Sequence, residues 1–376
     1  MKIVQTPVRF YPYTGGVENY VYNLSKELVK LGHDVTVVCA NEPAGEKDEV
    51  IDGIKIKRLS YIGKVANTNI TPRLPFELLR EEFDLIHTHL PTPWSADWSA
   101  IAAMTRRKPL VLTHHSDIVG DGPVSSVAQL YNRTNLQAIL KKASKIIVAQ
   151  PDVITSSLCL KKYENKIEVI PIGVDADKFR PIDTEKKNNT IFFLSVLDKF
   201  HKFKGMDHLL RAMVNVKEEI PDAKLIVGGD GALLEHYRKE ARSLGLDKNV
   251  EFLGFVPDEA IAEFYNTCSL FVLPSISAGQ ETFGMVLLEA MACGRPIVGT
   301  EIVGVAEDVT EYGAGIIVEC GNDRDLGDAI LYLLQNNDRA AQMGAAGRRL
   351  VEEKYRWETM AKRVEMVYRE MVYQDE

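Results

Sequence analysis

Short β-rich runs alternate with amphipathic helical stretches along this chain, and the series runs through twice. KIVQT opens it as a strand. Residues 16–31 follow as a helix with Val17, Tyr20, Val21, Leu24, Leu28 and Leu31 on one face. Gly32 ends that helix, and DVTVVCA reads as the next strand. DLIHT, PLVLT, KIIVA and KIEVIP continue the pattern. Strands separated by helices form a parallel sheet covered on both faces. The same grammar restarts near residue 190. TIFFLSVL, KLIVGG, VEFLG, LFVLP and PIVGT read as strands, with helical stretches near 206–219, 232–244, 258–266 and 283–292 between them. The polar segment 172–189, which carries Pro181, marks the join. Residues 323–372 read as helical throughout. The expectation is an α/β protein of two tandem doubly wound Rossmann-like domains facing across a cleft. They span 1–180 and 181–355, with a final helix over 356–376. Ligands of such sheets bind outside the carboxyl ends of the parallel strands.

Composition narrows the partners. The net charge is −8, but residues 1–180 hold 23 basic and 20 acidic residues and the remainder 22 and 33. An acidic chain is a poor binder of nucleic acid. The more basic first half suits peripheral contact with an anionic membrane surface. No apolar run approaches the ~20 residues that cross a bilayer, and the start lacks a secretory apolar core. A cytoplasmic protein is expected. The five cysteines (Cys39, Cys159, Cys268, Cys293, Cys320) have no metal-like spacing and read as reduced thiols.

The chemistry concentrates in a few places. Glu281 and Glu289 bracket ETFGMVLLE. Eight helical steps span about 12 Å. That exceeds the roughly 5–9.5 Å between the carboxyls of a glycosidase pair. The spacing suits a longer ligand with hydroxyls at both ends and a charged middle, as in a sugar nucleotide. Free N–H groups at a helix start near Gly284 would face its diphosphate. Gly15-Gly16 follows the first strand and permits close approach to a phosphate, though it lacks the dinucleotide fingerprint. His87, His89, His114 and His115 cluster at strand ends, where neutral imidazoles can bond hydroxyls or phosphate. Lys199, Lys202 and Lys204 follow the strand that opens the second domain, where a lysine can neutralise a leaving diphosphate. A solvated basic loop is the alternative. Asp175-Ala176-Asp177 spells DxD but lies in the linker and reads as a turn cap. Gly228–Gly231 reads as a structural strand-to-helix turn.

In combination these segments resemble the retaining glycosyltransferases of family 4, with the GT-B fold. The resemblance spans nearly the whole chain. It rests on GGVENYVYNLSKEL, HTHLPTPWSAD, VLTHHSDIV, EVIPIGVDADKF, FKGMDHLLRAM, GDG, LGFVPDEAI, ETFGMVLLEAMACGRPIVGT and RWETMAKR. It implies that Glu281 holds donor-sugar hydroxyls and Glu289 the ribose. Backbone amides around Phe283, Gly284 and Met285 would meet the diphosphate or the sugar, and Lys204 would stabilise the departing diphosphate. Gly16 would line the phosphate side, His115 would contact the sugar, and the Val256 backbone would meet the base. The helix from about Trp357 would cross back onto the first domain. Two positions depart from the family pattern. Val196 stands where an arginine is usual, leaving Lys199 or Lys202 to supply that charge. Ile172 replaces an asparagine. The implied reaction moves a hexosyl unit from a UDP- or GDP-sugar to a hydroxyl of a glycan, glycolipid or lipid-linked saccharide, with no metal or cofactor. The alternatives are a sugar-nucleotide epimerase on the same fold and an inactive sugar-nucleotide-binding protein.

Overall fold

The structure is a computed structural model. It describes the chain except residues 14, 66, 119–122, 158, 278–279, 282 and 374–376, and only the backbone of 123–124. The chain forms two compact units, Met1–Gly173 with Trp357–Glu376, and Val174–Arg356.

The first unit holds β1 (Lys2–Thr6), β2 (Asp34–Ala40), β3 (Asp48–Ile51), β4 (Ile54–Leu59), β5 (Gly63–Val65), β6 (Thr68–Ile70), β7 (Leu85–Leu90), β8 (Leu110–His114), β9 (Lys145–Val148) and β10 (Ile167–Val169). Eight of them form one sheet in the order β10-β9-β8-β7-β1-β2-β4-β3. All its pairings are parallel except β3 with β4. That edge hairpin turns on Asp52-Gly53, both at positive φ, and lies outside the elements expected above. A second, two-stranded hairpin joins β5 and β6. Apolar layers cover the large sheet on both faces. Leu78, Ala96, Ala100, Ile139 and Leu140 pack on one. Tyr20, Leu24 and Leu28 pack on the other with Trp357, Met360 and Val364 of the C-terminal helix. β7 and β8 are buried along their whole length, including the polar residues of LIHTHL in β7.

The second unit holds β11 (Thr190–Leu194), β12 (Lys224–Gly228), β13 (Val250–Gly254), β14 (Leu270–Leu273), β15 (Ile297–Thr300) and β16 (Gly315–Val318). Its sheet is wholly parallel in the order β13-β12-β11-β14-β15-β16. β16 was not among the expected strands.

The C-terminal stretch is not one helix. It divides into Asp323–Gln335, Asn337–Leu350, a π turn at Val351–Tyr355, and Trp357–Tyr373. Asn336 leaves helical geometry at φ −122°, ψ 67°, and Arg356 is extended. The outgoing and returning chain pass side by side here, with Val174 N donating to Tyr355 O at 2.7 Å. A Cβ on Gly173 would lie 2.9 Å from Trp357 Cα, so this approach needs glycine. Units divide at 173/174 and 356/357, where the sequence placed the divisions at 180/181 and 355/356. Among the described residues no helix is long and apolar enough to cross a membrane. Cys39, Cys159, Cys268 and Cys293 are buried free thiols and Cys320 is partly exposed.

Candidate active site

In the second unit, the segment after β11 folds onto the Gly228–Gly231 turn. A Cβ on Gly229 would lie 1.7 Å from Ser195 O, so backbone meets backbone directly. Asp198 then caps a 3-10 turn over Lys199–Lys204, accepting from the N–H groups of Phe200 at 2.8 Å and His201 at 3.0 Å. Gly205 closes the turn at φ +78° against the Pro274 carbonyl. Phe203 O accepts from Ile276 N at 2.8 Å. The turn is thereby tied to the segment that follows β14, and this delivers Lys204 to its partner.

Lys204 Nζ donates to Glu281 Oε2 at 2.7 Å, and Ser275 Oγ donates to the same oxygen at 2.6 Å. Thr300 Oγ1 braces the strand end by donating to Ser275 O at 2.7 Å. Glu281 is only 3% exposed. A buried carboxylate is tolerable only when paired and hydrogen-bonded in this way. Both contacts fall on Oε2, and Oε1 has no hydrogen-bond partner among the described residues.

Three residues on, Gly284 sits in the left-handed region (φ +83°, ψ +47°) ahead of the helix Met285–Ala292, and among the described residues no side chain caps that helix. Its leading N–H groups therefore lack a side-chain acceptor, the ordinary makings of an anion site. Phe283 turns inward, edge-on to Tyr355 at 5.8 Å between ring centroids. Only its backbone remains for a ligand. Met285 heads the helix, and Glu289 follows it one turn later on the same face.

Glu289 Oε2 accepts from the Tyr265 hydroxyl at 2.8 Å. Burial raises its carboxyl from 4.5 to about 7, against the opposing pull of Tyr265 and Lys178. A carboxyl raised on folding contributes stability that is present below its unfolded value and lost as pH rises through about 7. Glu289→Gln is therefore expected to melt above the wild type at pH 8. Its advantage, on the order of 1–2 kcal/mol after solvent screening, should shrink as the pH falls towards 5. Melting curves that differ by the same amount at both pH values would refute this.

Lys199 and Lys202 are exposed and have no side-chain partner among the described residues. Val196 is exposed as well. Val256 is buried beneath Gly228, so its backbone alone is available. Asp175 Oδ1 accepts from the N–H groups of Asp177 and Lys178 as a turn cap, and Asp177 pairs with Arg356 at 3.2 Å.

In the first unit, Gly16 starts the helix Gly16–Lys30 behind an extended Gly15, with no side-chain cap. A Cβ on Gly16 would meet nothing within 4 Å, so the position is open. His115 is half-buried, edge-on to Tyr20 at 4.8 Å and stacked on His89 at 5.5 Å. Burial first, then His114, depresses its imidazole to about 3, so it is neutral.

Sequence reasoning missed Ser275 and Tyr265. Ser275 had a weak signal, a polar residue directly after LFVLP at a strand end. Tyr265 had none, because it occupies an apolar position of its helix. His114, Asp117 and Cys159 also bring donor atoms within 4.8 Å of one another. His114 Nε2 is 3.0 Å from Asp117, while its Nδ1 is buried without a partner. A metal on Nε2 would force a buried, unaccepted N–H at Nδ1, whereas metal-bound histidines normally donate that proton. The cluster is therefore a hydrogen-bond cluster centred on Asp117.

Both units are thus Rossmann-like, and the second presents a lysine–glutamate pair beside a helix that no described side chain caps. Residues 14–178 match the family model described as Glycosyltransferase Family 4, and residues 175–350 match Glycosyl transferases group 1. The chain belongs to this family. It is 27% identical over 364 residues to the O-antigen chain mannosyltransferase C of Escherichia coli, covering 94% of each chain. It is 28% identical over 384 residues to the GDP-mannose-dependent alpha-(1-6)-phosphatidylinositol monomannoside mannosyltransferase of Mycolicibacterium smegmatis, covering 94% of this chain and 95% of that one. Among solved structures, Anabaena HepE in complex with UDP superposes with a TM-score of 0.75 at 21% identity, over 98% of this chain and 99% of that one.

Proposed function

We propose that this protein transfers a hexosyl unit from a nucleotide diphosphate sugar to a hydroxyl of a glycan or lipid-linked saccharide, retaining the anomeric configuration and using no metal. A mannosyl unit from GDP-mannose is the first donor to test, since relatives at 27–28% identity are named for mannosyl transfer. UDP-sugars are the other class.

The observation that carries this reading is the convergence of Lys204 and Ser275 on one oxygen of Glu281, next to the uncapped helix at Gly284. In the reading, Glu281 Oε1 accepts from sugar hydroxyls. The helix N–H groups and Lys204 hold the diphosphate and the charge that grows on it as the glycosidic bond breaks. Glu289 accepts from the ribose hydroxyls. The leaving phosphate takes the acceptor's proton on the same face, which accounts for retention. His115 offers the sugar a neutral imidazole.

A peripheral membrane contact fits the exposed Phe76, Leu79, Ile101 and Met104 beside Arg80, Arg106 and Arg107 in the first unit. The Arg106 guanidinium donates to Leu79 O and so links the helix Pro93–Arg106 to the helix Leu74–Arg80.

Thermal shift against a panel of GDP- and UDP-sugars, followed by transfer to a glycolipid in anionic vesicles, tests the whole reading. The expected result is stabilisation by GDP-mannose, transfer with retention in the presence of a metal chelator, and co-sedimentation that falls with added salt. Interconversion of donor sugars without an acceptor would replace the transferase with an epimerase. Donor binding without transfer to any acceptor would indicate a binding protein.

A further inference from the structure

A line of polar side chains runs beneath His115 through an otherwise apolar layer. His115 Nε2 is 3.3 Å from His89 Nδ1, and His89 Nε2 is 2.9 Å from Gln5 Oε1. Gln5 Nε2 donates to the Tyr368 hydroxyl at 3.5 Å. That hydroxyl is 2.6 Å from His87 Nδ1, and His87 Nε2 is 2.7 Å from Thr113 Oγ1. Gln5, His87 and His89 are fully buried, on β1 and β7, and Tyr368 arrives on the C-terminal helix.

A neutral imidazole carries one N–H, so each bond in such a line dictates the next. The Gln5 amide oxygen can only accept, so His89 carries its proton on Nε2 and its lone pair on Nδ1. His115 must then donate from Nε2, which leaves the His115 lone pair on Nδ1. In the other direction, the Gln5 amide N–H donates to Tyr368, Tyr368 to His87 Nδ1, and His87 Nε2–H to Thr113. The whole line points one way without conflict. Burial keeps His87, His89 and His115 uncharged, so no second proton disturbs it. His115 Nδ1 has no hydrogen-bond partner among the described residues.

We propose that Gln5, His89 and Tyr368 are positioning residues that fix the tautomer of His115, so that its Nδ1 meets a ligand only as a hydrogen-bond acceptor. The position then welcomes a sugar hydroxyl and refuses a carboxylate, because two acceptors would face each other. Neutral hexosyl donors are selected over hexuronosyl donors. The selectivity rests on the reading of His115 as a donor-sugar contact, whereas the tautomer does not.

Histidine-selective 15N NMR reads the tautomer directly, since a protonated ring nitrogen is pyrrole-like and a bare one pyridine-like. The signals of His115 are identified by their loss in His115→Ala. The wild type is expected to show His115 pyrrole-like at Nε2 and pyridine-like at Nδ1. Gln5→Met removes the acceptor and should mix the tautomers at His89 and His115. Gln5→Glu keeps an accepting oxygen and should restore the wild-type pattern. kcat/KM for the hexosyl donor should fall about tenfold in Gln5→Met, the worth of one hydrogen bond, and recover in Gln5→Glu. The wild type should bind a hexosyl nucleotide more tightly than the matching hexuronosyl nucleotide. A wild-type proton on His115 Nδ1 overturns the proposal. So does a Gln5→Met variant whose melting temperature drops while its nitrogen shifts stay put, since that is a purely structural role. If the tautomers are as expected but no nucleotide sugar binds, the tautomer assignment stands and the proposed function fails.

Discussion

Glu281→Ala should lower glycosyl transfer by about 10³-fold, and Lys204→Ala by a similar factor, because under the proposed function the first removes the acceptor of the sugar hydroxyls and the second a preorganised charge facing the leaving diphosphate. The two variants should differ sharply in stability. Glu281 is the more deeply buried partner, its side chain 4% exposed against 19% for Lys204. Lys204→Ala leaves a buried carboxylate held by Ser275 alone, the situation that costs about 3–5 kcal/mol when a buried pair is broken. Glu281→Ala leaves an ammonium that can turn towards water, at a smaller cost. The double variant should therefore be more stable than Lys204→Ala by itself, although equally inactive. Chemical denaturation of the three variants, alongside transfer rates, checks both claims. Near-normal turnover in either single variant would remove that residue from the mechanism, and strictly additive stabilities would deny the pairing.

Gly205→Ala should damage the protein nearly as much without touching a charged group. Gly205 lies at φ +78°, and an added Cβ would sit 1.9 Å from the Pro274 carbonyl oxygen. Left-handed backbone costs a non-glycine residue roughly 1–2 kcal/mol. The clash with a strand-end carbonyl comes on top of it and can be relieved only by moving the turn that carries Lys204. A loss of about 3 kcal/mol or more in stability is expected, with transfer reduced at least tenfold. Gly313→Ala is the comparison, since Gly313 has φ +62° but open space around its would-be Cβ. If the two variants unfold at the same denaturant concentration and transfer equally well, the close approach at Gly205 is not what holds Lys204 in place.

The elements of both sheets were largely legible in the sequence because parallel strands buried on both faces are continuous apolar runs, and TIFFL, KLIVG and LFVL advertise themselves. The β3–β4 hairpin was missed because DEVI and IKIKRL alternate apolar and charged residues at an edge, which mimics a surface segment. The C-terminal helix breaks were missed because Asn336 and Arg356 are compatible with a helix in sequence. Helical periodicity continues across both, and only tertiary packing makes the chain turn there. At the site, Glu281, Glu289 and Gly284 stood out by residue type and spacing and Lys204 by the family resemblance, while Ser275, Tyr265 and Gln5 did not. Those three act through hydrogen bonds made to partners distant in sequence or around a loop.

By itself, then, the sequence determined the two α/β units, the family, and which charged residues are available for chemistry. Periodicity and residue type are local properties and survive without coordinates. Tertiary structure decided that Lys204 meets Glu281, which oxygen of that carboxylate has no partner among the described residues, and which nitrogen of His115 faces His89. Each of these depends on distances of about 3 Å, the reach of a hydrogen bond, between residues that only folding brings together.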